Sequence, residues 1–90
     1  MKFTVNWTAK AEEALARYWL AARDRISIDE AIVVIEHELA TNPMNVGESR
    51  FGNFRVMTIE PMFVVFSVWP DDRLVKIVQI TKRTQTQRPN

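Results

Sequence analysis

The sequence predicts an α+β fold of order β-α-α-β-β-β: a small antiparallel meander with an N-terminal strand and a helical hairpin packed on one face. Three observations carry that prediction. Residues 50–83 contain three runs of strand-forming residues separated by turn signals. Within them, Phe63-Val64-Val65-Phe66 is apolar at four adjacent positions, so side chains on both faces of that strand need shielding. Residues 9–41 carry two apolar stripes at helical spacing, which can supply cover for one of those faces.

The elements follow in order. Phe3, Val5 and Trp7 alternate with Thr4 and Asn6, the pattern of a short strand whose partner must be the meander. Thr8 offers an N-cap hydroxyl, and Glu12 and Glu13 sit in the early turns that the helix dipole favours. Ala11, Leu15, Tyr18, Trp19 and Ala22 then form a helical stripe; at this spacing Tyr18 and Trp19 read as packing residues before they read as a binding pair. After a turn of about four residues, Ser27-Ile28-Asp29-Glu30 matches a capping box with Ser27 as N-cap. The second helix is expected to bury Ile28, Ile32, Ile35 and Leu39 and to end before Pro43. Residues 42–48 read as a loop. Strands are expected at Phe54–Ile59, Met62–Trp69 and Leu74–Thr81, divided by Glu60-Pro61 and Pro70-Asp71-Asp72-Arg73. In the last strand, strict alternation groups Leu74, Lys76, Val78 and Ile80 on one face.

Composition narrows the function classes. Ninety residues with 47% apolar content fit one globular domain, expected over residues 1–83 with 84–90 as a flexible tail. There is no cysteine, which excludes disulfides and thiolate zinc sites; no cofactor and no metal are expected. The N-terminus alternates instead of building a signal-peptide core, and the longest apolar run falls well short of the ~20 residues that span a bilayer. A cytoplasmic protein without a membrane role is the expectation. His37, two positions and about 200° from core-facing Ile35, should face solvent. It has no matched nucleophile, and Glu30, His37 and Glu38 form no metal-ligand pattern. Charge is segregated: residues 1–49 hold five cations and eight anions, residues 50–90 seven cations and three anions. Such asymmetry marks either a surface for a polyanion or acidic partner, or sheet edges protected by cations.

The order and punctuation of the chain resemble the RelE/ParE superfamily of bacterial type II toxin–antitoxin systems, the plasmid-stabilisation toxins. The carriers are Val5-Asn6-Trp7 followed by Ala9 to Leu15, then Leu39-Ala40-Thr41-Asn42-Pro43 with Gly47-Glu48. Gly52-Asn53-Phe54-Arg55-Val56, Phe63 to Val68, and Asp72 to Ile80 with terminal Lys82-Arg83 complete them. The resemblance implies a growth-inhibiting toxin neutralised by a cognate antitoxin protein. It also implies one of two targets: the ribosome, with metal-independent cleavage of messenger RNA, or DNA gyrase.

Site residues follow from the same resemblance. Arg55 and Arg83 fall at the family's basic positions and would be the catalytic cations of a nuclease; Arg50, Arg73, Lys76 and Lys82 would contact RNA or another target. Cations suit such chemistry because attack of a ribose 2′-hydroxyl on phosphate accumulates negative charge on phosphoryl oxygens. Two departures argue against a nuclease. Val64 stands where RelE-like nucleases commonly carry arginine, and residues 84–90 include no tyrosine. A degenerate, non-toxic protein-binding member of the fold is the alternative. The meander face that the hairpin leaves uncovered, with Val64 or its neighbours on it, is expected to need a partner.

Overall fold

The computed structural model describes residues 2–83; the expected tail at 84–90 lies outside them. Strand β1 (Thr4–Trp7) leads into helices α1 (Ala9–Ala21) and α2 (Arg25–Thr41). Then come β2 (Glu48–Ser49), β3 (Phe54–Ile59), β4 (Met62–Trp69) and β5 (Leu74–Lys82), with a 3₁₀ turn at Pro70–Asp72 before β5. The five strands form one mixed sheet in the order β1-β5-β4-β3-β2. β3, β4 and β5 make the antiparallel meander, and β1 joins its edge parallel to β5, pairing Val5 with Val75 and Trp7 with Ile77.

Local chemistry explains the helix starts. Thr8 accepts from the Ala11 backbone N–H at 3.2 Å and its hydroxyl donates to the Ile77 carbonyl at 3.1 Å, so one residue caps α1 and ties it to β5. The cap of α2 is Asp24, not Ser27. Asp24 accepts from the Ser27 N–H at 3.0 Å and from the Ser27 hydroxyl at 2.6 Å, and the helix begins three residues earlier than the capping-box reading places it. A carboxylate at the N-cap outcompetes the hydroxyl because it takes both bonds with a full negative charge at the positive end of the helix. Arg25 then donates to the Trp19 and Leu20 carbonyls, closing the turn between the helices.

The core lies between the hairpin and one face of the sheet. Met62, Val64, Phe66 and Val68 of β4 point into it, with Met57 of β3 and Val75, Ile77 and Ile80 of β5. Ala11, Ile28, Ala31, Ile35 and Leu39 close it from above. Ile32 is only half-buried; Ala31 takes the inner position. One open alternative is decided here and two readings are corrected. Val64 is fully buried on the hairpin side, so the uncovered face belongs to its neighbours Phe63, Val65, Ser67 and Trp69. Ile80 shares the core face with Val75 and Ile77, because a bulge opposite Val65 and Phe66 leaves Val78 unpaired and reverses the alternation beyond it. Glu48, read as the last loop residue, pairs with Val56, and Ser49 after it pairs with Arg55.

Candidate functional site

The sheet face turned away from the helices is fixed by register. One cross-strand row runs Asn6, Lys76, Ser67, Phe54; beside it lie Gln79, Val65 and Val56 on one side and Leu74 and Trp69 on the other. Trp69 folds back along its own strand, its indole N–H donating to Ser67 Oγ at 3.0 Å. Ser67, the one buried polar residue among those described, is thereby satisfied. Lys76 Nζ stands 5.7 Å from the Trp69 ring centroid, within cation–π range. Phe51, from the turn before β3, leans on Phe54 with ring centroids 5.7 Å apart. This face offers flat aromatic surface beside one ammonium, a combination able to stack a planar group and hold a negative charge.

The six expected cations occupy four places. Arg55 lies opposite Phe66 and therefore on the hairpin side of the sheet. Its Nε and Nη2 donate to the Val46 carbonyl at 3.1 and 3.0 Å, and Nη2 reaches the Gly47 carbonyl at 3.4 Å. Arg50 is exposed and pairs with Glu48 at 2.9 Å, so both arginines are engaged around β2. Lys82 and Arg83 sit together at the far end of β5. Arg83 Nη1 is 3.7 Å from Glu60, and its backbone N–H donates to the Pro61 carbonyl. Lys82 faces the helix turn: with Tyr18, Asp24, Ser27, Glu60 and Arg83 it lines a groove there. The Asp24 carboxyl is held below its ordinary pKa by the Ser27 hydroxyl and N–H, with Lys82 adding a smaller effect. Arg73 adopts the left-handed conformation at the start of β5, its guanidinium 5.9 Å from the Phe3 ring centroid. Lys76 alone stands on the row across the uncovered face.

Arg55 and Arg83 are thus separated. Arg55 is level with Phe66 and Arg83 lies one residue beyond the Met62–Lys82 pair. Five strand positions amount to about 17 Å along the sheet. Among the described residues no cluster of His, Cys, Asp and Glu is placed to hold a metal ion, and His37 is exposed on α2. The residues missed from sequence are the aromatics of the uncovered face, Phe51, Phe54, Phe63 and Trp69. Their signal was present: Phe63, Val65, Ser67 and Trp69 occupy alternate positions opposite the core-facing series of β4.

No family model matches the sequence, and no curated protein matches it. Solved structures do match in fold. The toxin–antitoxin complex RelBE2 from Mycobacterium tuberculosis superposes with a TM-score of 0.76 at 16% identity, over 92% of this chain and 93% of that one. The chromosomal ParDE system from P. aeruginosa gives 0.67 at 21% identity, over 91% and 97%. The isolated E. coli RelE toxin gives 0.63 at 10% identity, over 94% and 88%. With TM-scores of 0.63 to 0.76 over nearly the whole of this chain, the chain has the fold of the RelE/ParE toxins.

Proposed function

We propose that the protein is the toxin of a bacterial type II toxin–antitoxin module, held inactive by a cognate antitoxin and arresting growth when released. One observation carries this reading: nearly the whole chain takes the fold found in RelBE2, a toxin–antitoxin complex, with a TM-score of 0.76. Both targets that the fold suggests are cytoplasmic, and no helix among the described residues is long and apolar enough to cross a membrane.

The disposition of cations favours a toxin that binds its target over one that cleaves it. A metal-free nuclease must converge its cations on one phosphate. Arg55 is engaged with loop carbonyls, Arg83 approaches Glu60, and about 17 Å of sheet separates their levels. DNA gyrase is therefore the preferred target, with Lys76 and Trp69 at the contact and Arg50, Arg73 and Lys82 contributing charge around it. Ribosome-dependent cleavage by Arg55 and Arg83 is the second reading.

Inducible expression tests both levels. Growth arrest relieved by the adjacent upstream reading frame, with intact transcripts and inhibited gyrase supercoiling, is the expected result. New transcript ends on ribosome-bound messages would replace gyrase with the nuclease reading. Normal growth would remove the toxin reading and leave a non-toxic binding module of the same fold.

A further inference from the structure

The sheet ends at β2, and that edge is open. In an antiparallel ladder, hydrogen-bonded and non-hydrogen-bonded pairs alternate. The Arg50 N–H donates to the Phe54 carbonyl at 2.9 Å, so Arg50–Phe54 and Glu48–Val56 are the bonded pairs and Ser49–Arg55 is not. The Ser49 N–H and C=O therefore point away from β3, outward from the sheet. Glu48, Ser49, Arg50 and Phe51 are all exposed, and Phe51, at 76%, is the most exposed large apolar side chain among the described residues. Beside this edge lies a cavity of about 510 Å³, lined by Val34, Val46, Gly47, Val56, Ile59 and Phe63 among others. Phe51 is not part of that lining. One edge thus carries an apolar cavity and, a few residues along, an apolar ring that does not fill it.

The order of charges along β2 decides the occupant. A short edge with charged side chains ordinarily keeps other strands away. Here the charges alternate about Ser49, so the strand is complementary to itself run backwards. An antiparallel second copy with Ser49 opposite Ser49 matches the outward N–H and C=O groups of both chains. It sets Glu48 of each copy opposite Arg50 of the other, in non-hydrogen-bonded pairs, where side chains stand closest. Within one chain Arg50 already donates to Glu48 at 2.9 Å, and both groups keep capacity for a further bond, so the four charges close into an alternating ring. A slip of one residue would oppose outward groups to inward ones. A slip of two would set Glu48 against Glu48 or Arg50 against Arg50. In the one favourable register Phe51 of each copy comes opposite Gly47 of the other, at the rim of the cavity and where no side chain blocks it.

We propose that the β2 edge binds a second copy of this chain, as a two-fold antiparallel strand pair centred on Ser49, with Phe51 of each copy closing over the other's cavity. The contact is isologous and joins the two sheets into one. This proposal does not rest on the toxin reading, since a chain that fails to arrest growth still presents the same edge.

Sedimentation of the full chain across a concentration series measures the association. So short a strand contact belongs at the small end of specific interfaces, and the dimer should form in the micromolar to millimolar range and weaken with salt. Hydrogen exchange of the Ser49 amide should slow as concentration rises, which locates the contact. Phe51→Ala should weaken the dimer about a hundredfold, roughly tenfold for each of the two rings. Glu48→Arg or Arg50→Glu alone should weaken it about fifteenfold, because two attractions become repulsions at roughly fourfold apiece. Mixing these two single variants restores both charge pairings, and the mixture should associate as the parent chain does. All three side chains are exposed, so the variants should keep the parent's thermal midpoint closely. A chain that stays monomeric through the millimolar range, a dimer indifferent to the single reversals, or a mixture no more associated than its components would each overturn the proposal.

Discussion

Arg55→Ala separates a structural role from a catalytic one. Arg55 holds the Val46–Gly47 segment to β3, with two donors on the Val46 carbonyl and a longer contact to Gly47. Counted as one forked, charge-assisted bond, this contributes about 1.5–3 kcal/mol, and partial solvent exposure reduces it to about 1–1.5 kcal/mol. With a urea slope near 1 kcal/mol/M for a chain this small, the midpoint should fall by about 1–1.5 M. Arg55→Lys should recover little, because a single ammonium cannot reproduce the fork. Urea titrations followed by tryptophan fluorescence measure the shift, alongside growth arrest on induction. A variant of unchanged stability would refute the clamp, and lost toxicity at unchanged stability would return Arg55 to the catalytic role of the nuclease reading.

Other perturbations test the fold and its electrostatics. Val64→Arg places a charge at a fully buried core position, so it should cost several kcal/mol and leave a chain that fails to melt cooperatively in calorimetry. Gly47 and Gly52 both have positive φ, but a Cβ at Gly47 would collide with the Val56 carbonyl and Met57 while one at Gly52 meets open space. Gly52→Ala should therefore cost about 1 kcal/mol of backbone strain, and Gly47→Ala clearly more, as a lower thermal midpoint. Asp24 has a folded-state pKa below its ordinary value of 3.8, so its stabilising effect is present above that value and is lost as pH falls through the depressed one. Asp24→Asn retains a capping side chain and should flatten the acid limb of a plot of thermal midpoint against pH.

The sequence reading succeeded where a signal is local and failed where the deciding partner is distant. The Thr8 cap and the strands at Phe54–Ile59 and Met62–Trp69 are written in adjacent residues, and the structure places them at those positions. Asp24 and Ser27 are both competent caps. What selects Asp24 is a tight interhelical turn closed by Arg25 on the carbonyls of α1, a tertiary contact invisible to a capping-box pattern. β2 has no apolar alternation at all. Glu48 and Ser49 pair with β3 beside the close backbone approach at Gly47 and the Arg55 clamp, two features that only the folded chain brings together.

The largest consequence for the site comes from a single residue, Val78. Lys76 and Lys82 are six positions apart, so unbroken alternation would set them on one face as parts of one basic patch. The bulge at Val78 shifts the register, pairing Phe66 with Ile77 but Val65 with Gln79. Lys76 therefore stands on the uncovered face beside Trp69, and Lys82 turns to the hairpin side near Asp24. The same shift brings Ile80 into the core, where it is 2% exposed, so burial of that isoleucine stabilises the arrangement that divides the cations. Any target must then meet Lys76 and Lys82 on different sides of the sheet. A partner that wraps the end of the sheet can do so; a single phosphate cannot.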